Sequence, residues 1–211
     1  MLIIINSVVY TGAMEIDTRA RRAQILAAAA ELFARRGFHG VSIGELGASV
    51  GLTGPALYRH FAGKEALLAE ILLDISARLH DEGFRRAAAA EDPLGALLEW
   101  HISFALDHPA LIVVHERELE NVPEAPRREI RRLQRAYVEE WVRVARERWP
   151  RPEDEARAAV HAVFGLLNST PHSAGELDRA DMARLLRRMA EAALLAGAAA
   201  RPDADAGDLG G

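Results

Sequence analysis

The chain has 211 residues, is half hydrophobic, carries a net charge of −5 and contains no cysteine. That length supports one sizeable core or two small ones, and the missing thiols exclude disulfides, thiolate nucleophiles and cysteine-based zinc sites. Alanine and arginine are heavily used while aromatic and β-branched residues are sparse, so the predicted fold class is all-α.

Residues 1–16 open with "MLIIINSVVY", an apolar run without a basic flank and far too short to span a bilayer. This segment is expected to be a disordered or strand-like extension, with Met14 as an alternative start. No later stretch approaches roughly 20 uninterrupted apolar residues, which predicts a cytoplasmic protein with no membrane partner. Asp17 or Thr18 can cap a first helix to about Arg36, with Ile25, Leu26, Ala29, Leu32 and Phe33 on its apolar stripe. Gly37 stands where a left-handed C-cap belongs. Ser42 and Glu45 have the spacing of a capping box, Gly51 breaks that short helix, and Thr53 caps the next one. A long helix then opens near Gly63.

Two short helices about a glycine turn, braced by a longer helix before them, predict a helix-turn-helix over residues 17–64. The stretch "LTGPALYRHF" fits its second helix. Gly54 and Pro55 keep the leading end thin, so backbone and Cβ surface around Thr53 and Ala56 can press against base edges. Tyr58, Arg59 and His60 follow within reach of flanking phosphates, and Ser42, which caps the supporting helix, is counted with them as a DNA-binding residue. From Asp17 to Lys64 there are seven basic and three acidic residues, a surplus of +4 that leaves −9 for the remainder. Such a basic head on an acidic body favours a polyanionic partner that the average charge conceals. Lys64 is the only lysine among 26 basic residues. A compact ammonium at a helix start suits a single phosphate oxygen.

The run "RRAQILAAAAELFARRGFHGVSIGELGASVGLTGPALYRHFAGKEALL" resembles the N-terminal domain of TetR-type transcriptional repressors, above all in "LYRHFAGKEAL". The resemblance covers Arg21 to Leu68. It implies a homodimer, three N-terminal DNA-binding helices, and a larger helical domain for ligand and dimer contacts over residues 65–200. It also implies that Lys64 touches the DNA backbone. Gly44 and Gly47 depart from the pattern, since alanine would favour the helix by about 1 kcal/mol at each; close helix packing is the alternative reason for them.

In the body, helices are predicted from Pro93 to Pro109, from about Arg127 to Trp149, over Glu153 to Asn168 and over Leu177 to Ala199. Residues 201–211 are expected to be disordered. The last two helices carry apolar stripes that either face a second subunit or bury against their own core. The resemblance favours a dimer interface of Val160, Val163, Phe164, Leu167, Leu186 and Met189, as a four-helix bundle about a two-fold axis. An apolar effector pocket is expected around Trp100, Phe104, Ile112, Trp141 and Phe164, oriented by His115 and Asn168. "NSTPH" reads equally as a capped helix end.

His101, His108 and His115 recur every seven residues, two turns or roughly 10 Å apart on one helix, too far to share a metal. No metal, cofactor or catalytic residue is expected, and an enzyme is the rival class without support. "RREIRRLQR" holds five arginines in nine residues, either a solvated face or a grip on coenzyme A phosphates at Arg128, Arg132 or Arg135. The resulting reading is a ligand-responsive repressor. Its partners would be double-stranded palindromic operator DNA, a second copy of the chain and a small hydrophobic effector, with an acyl-CoA among the candidates. The alternative is an acyl-CoA-binding or scaffold helical protein without operator binding.

Overall fold

The computed structural model describes residues 5–173, 175 and 177–196, and these are helical with short connections. Among the described residues ten α-helices occur in order: α1 (Ile5–Arg36), α2 (Ile43–Ser49), α3 (Gly54–Leu57), α4 (Lys64–Ala89), α5 (Pro93–Asp107), α6 (Pro109–Arg117), α7 (Glu124–Arg148), α8 (Glu153–Leu167), α9 (Thr170–Ser173) and α10 (Arg179–Ala196). The described residues divide into two compact units. One comprises residues 1–76 with 110–131, and the other residues 77–109 with 132–211. The segment 110–131 belongs to the same unit as the helix-turn-helix.

In the first unit α1 starts well before the expected cap at Asp17 or Thr18, so residues 5–16 are not a strand or a loose extension. Between Ile5 and Thr18 there is no proline, and Gly12 alone costs about 1 kcal/mol, so nothing local stops the helix. The expected disorder of residues 201–211, and the first four residues, lie outside the described residues. Gly37 ends α1 at φ +71°, as its position predicts, and Gly51 makes the α2–α3 turn at φ +70°. The core of this unit holds Ile25, Ala29, Phe33, Phe38, Leu46, Leu57, Phe61 and Leu68, all buried.

Gly44 and Gly47 separate cleanly. A Cβ on Gly47 would lie 2.8 Å from the Leu52 carbonyl oxygen and 3.1 Å from the Thr53 carbonyl carbon, so the turn leaves room there only for glycine. The Leu52 N–H also donates to the Gly47 oxygen at 2.8 Å. Gly44 meets only the Ser42 hydroxyl, at 3.9 Å. Gly44→Ala is therefore expected to stabilise by up to about 1 kcal/mol. Gly47→Ala should cost about 1–3 kcal/mol, because rigid backbone must shift. Thermal melts of the two variants moving in the same direction would refute this.

In the second unit α8 packs on α10 and α5, and α5 also meets α9 and α10. α5 ends at Asp107, just before Pro109 as expected, and Pro109 also starts α6, where its missing N–H costs nothing. Thr170 is buried and donates to the Ala105 carbonyl of α5 at 3.2 Å. "NSTPH" thus closes α8 and turns the chain back onto α5. Arg179 holds Asp107 through two hydrogen bonds of 2.6 Å, fastening the start of α10 to the end of α5. That guanidinium keeps the Asp107 carboxyl below its ordinary range.

Candidate nucleic-acid interface and effector cluster

The capping box forms as the spacing requires: the Glu45 amide donates to Ser42 Oγ at 3.3 Å, and the Ser42 amide donates to Glu45 Oε2 at 2.8 Å. The Ser42 backbone and hydroxyl, with Arg36 beside them, hold the Glu45 carboxyl down to about 2. Thr53 caps α3 by accepting the Ala56 amide at 3.3 Å. α3 spans only Gly54–Leu57, and its single inward side chain is Leu57, 1% exposed. Thr53 and Pro55 are exposed, Gly54 and Ala56 half-buried. Tyr58 is 58% exposed, Arg59 is exposed and His60 is half-buried. A thin, small-residue helix start followed by an exposed phenol and guanidinium is the surface a major-groove reader needs.

The basic head is less free than its charge suggests. Arg21 donates to the Val50 carbonyl at 2.6 Å, tying α1 to the end of α2. Arg22 forks onto both oxygens of Glu70, donates to the His60 carbonyl at 2.6 Å and stacks 4.1 Å from the Phe61 ring centre. Lys64 is engaged within its own unit. Its ammonium donates to the carbonyls of Phe38, at 2.9 Å, and Val41, at 3.0 Å, and lies 4.2 Å over the Phe38 ring. Two of its three N–H donors thus hold the loop between α1 and α2. Spacing gave no sign of these carbonyl partners, which only the folded loop brings to the helix start.

In the second unit the structure brings together Trp141, Phe164 and Asn168, joined by His101 and Tyr137. His101 Nε2 lies 3.0 Å from Asn168 Oδ1, and its Nδ1 lies 3.4 Å from the Tyr137 hydroxyl. The imidazole stacks on Phe164 with centroids 5.0 Å apart, and Trp141 meets it edge-on at 5.9 Å. Trp100 and Phe104 adjoin each other at 5.9 Å, with Arg86 over Trp100 and Arg78 over Phe104. Trp100 Nε1 is buried without an acceptor among the described residues. Ile112, buried, and His115, half-buried, belong to the other unit.

Burial lowers the His101 pKa from 6.5 to about 4, against the Asn168 bond that raises it. The imidazole is therefore neutral in the folded chain, while the unfolded chain takes up a proton near pH 6.5. Stability is complete above that pH and falls as pH drops toward 4. About 2 kcal/mol should be lost between pH 7 and pH 5. Urea titrations of wild type and His101→Phe at both pH values test this, since the variant should lack that part of the loss.

Most of the predicted dimer-interface residues are buried within the chain itself. Val160, Val163 and Leu167 are 0% exposed and Leu186 4% exposed, packed inside their own unit. The exposed side of α8 carries Ala158, His161, Ala162 and Gly165, and that of α10 carries Met189, Ala192 and Leu195. Phe164 is half-buried in the ring cluster, and of the six predicted residues Met189 alone is exposed, at 46%. The arginine run is largely engaged with carboxylates: Arg127 and Arg131 pair with Glu120, and Arg128 approaches Glu124 at 3.8 Å. Among the described residues no three His, Asp or Glu side chains converge on a metal position, and no single helix is long and apolar enough to cross a membrane.

A capped pair of short helices with an exposed basic second member, followed by a larger helical body, defines a helix-turn-helix protein of the two-part kind. Residues 25–71 match the family model for bacterial regulatory proteins of the tetR family, and residues 87–194 that for the tetracyclin repressor-like C-terminal domain. The chain belongs to the TetR family. It is 40% identical over 58 residues to the HTH-type transcriptional regulator YdgC of Bacillus subtilis, covering 28% of this chain and 30% of that protein. The HTH-type transcriptional repressor KstR2 of Mycobacterium tuberculosis is 29% identical over 139 residues, 63% of this chain and 64% of the relative. The chain thus spans less than two thirds of the length of either curated relative. Among solved structures, AibR in complex with isovaleryl coenzyme A and operator DNA superposes with a TM-score of 0.68 at 21% identity, over 80% of this chain and 97% of that one.

Proposed function

We propose that the chain is a ligand-responsive transcriptional repressor that binds palindromic operator DNA as a homodimer and is released by a small apolar effector. The observation that carries this reading is α3, where Thr53, Pro55, Tyr58 and Arg59 stand exposed beside the small Gly54 and Ala56. The named repressor KstR2 among its relatives supports the direction of control. For the effector, a coenzyme A thioester is the class to test first, since AibR was solved in complex with isovaleryl coenzyme A. The buried, acceptor-less Trp100 Nε1 beside an aromatic cluster supports a ligand that brings an acceptor such as a thioester carbonyl.

A mobility-shift assay with DNA from upstream of the chain's own gene tests both halves. The expected result is a retarded band dispersed by isovaleryl-CoA or a long-chain acyl-CoA and not by the matching free acids. Retardation unaffected by any of these would discard the thioester. Calorimetric binding of a CoA ester without any DNA shift would favour an acyl-CoA-binding protein instead.

A further inference from the structure

The loop between α1 and α2 sets where the reading helices stand, and its peptide groups are held from two sides. Phe38, 4% exposed, and Val41, 1% exposed, anchor it in the core. Lys64 takes the Phe38 and Val41 carbonyls. The Phe38 N–H donates instead to Glu118 Oε1, at 3.3 Å, across 80 residues of sequence. Glu118 follows α6 directly, is 6% exposed, and its second oxygen accepts Asn121 Nδ2 at 2.8 Å. The same carboxylate lies 3.7 Å from where a Cβ on Gly37 would stand. One residue of the loop is thus gripped by a cation on its carbonyl and an anion on its N–H. Buried charges are rarely kept without hydrogen bonds that need them, and both of these are charge-assisted.

We propose that Glu118 is a positioning residue for the DNA-reading helices, so that the segment 110–131 completes the reading unit rather than merely following it. This rests on the DNA-binding reading above. The carboxylate fixes the Phe38 peptide, which fixes the start of α2 at Ser42, and α2 carries the turn into α3. Movement of the chain just beyond α6 therefore changes how α3 is presented without touching any DNA-facing side chain.

The test uses the full chain and two variants, Glu118→Ala and Glu118→Gln. Hydrogen exchange should show the Phe38 amide and those of α2 opening about tenfold faster in Glu118→Ala, with α8 and α10 unchanged. A tenfold change corresponds to about 1.4 kcal/mol, the size of one such hydrogen bond. Affinity for the upstream duplex should fall by a similar factor. Glu118→Gln keeps an acceptor oxygen for the Phe38 N–H and should restore both to within about threefold. General destabilisation would speed exchange throughout the chain and would overturn the positioning role. So would a Glu118→Ala chain whose Phe38 amide exchanges as in wild type. If the wild-type chain binds no duplex, the DNA-binding reading fails, while the exchange experiment still decides whether Glu118 holds the loop.

Discussion

Val163→Asp is expected to destabilise the subunit itself strongly rather than to release stable folded monomers. The side chain is 0% exposed on the inner face of α8. Burying a carboxylate there is expected to cost on the order of 4 kcal/mol, a large share of a domain's roughly 5–15 kcal/mol. Leu186→Asp, at 4% exposure, should behave alike. For the proposed dimer, disruption is expected instead from charge on the opposite faces. Gly165 is exposed, and a Cβ there would meet no atom within 4 Å; Met189 is 46% exposed. Gly165→Glu and Met189→Glu should therefore stay within about 0.5 kcal/mol of wild type in stability while placing charge where a second subunit would pack. Circular dichroism melts and light scattering separate the outcomes. Folded Val163→Asp monomers would return the interface to the inner stripe, and folded dimers of Gly165→Glu with Met189→Glu would place it elsewhere.

Arg59→Ala and Lys64→Met should differ in kind, although both remove one positive charge from the basic head. Arg59 is exposed beside α3. Its loss is expected to weaken duplex binding and lower the slope of log affinity against log salt by about one, the signature of one lost phosphate contact. Lys64 spends its ammonium on the Phe38 and Val41 carbonyls. Lys64→Met keeps the stem over the ring but leaves two carbonyls without their donor, so stability should fall by about 2 kcal/mol. Affinity should drop with it while the salt slope stays near the wild-type value. A Lys64→Met chain as stable as wild type, with a slope lower by one, would restore the phosphate role that position alone suggests.

Local chemistry determined the caps and turns of the helix-turn-helix. Ser42 with Glu45, Thr53, Gly37 and Gly51 each act within three or four residues, and the structure has each doing what its spacing requires. Periodicity also located the apolar stripes of α7, α8 and α10, because a 3.6-residue repeat is written in the chain itself. Which neighbour a stripe meets is not written there. Val163 and Met189 look equally suited to an interface, and only the packing of α8 on α10 and α5 decides that one is core and the other surface. The same holds for charge. Arg22 and Lys64 count as free cations in any window, yet Glu70 lies 48 residues from the first and the Phe38 carbonyl 26 from the second. Glu118 is the furthest case. Its partner amide is 80 residues away, and nothing in "HERELENV" distinguishes it from the solvated glutamates on either side. Short-range hydrogen bonds and helix periodicity are legible because their partners are fixed by sequence separation, whereas long-range partners are fixed only when the core closes and brings their backbones together.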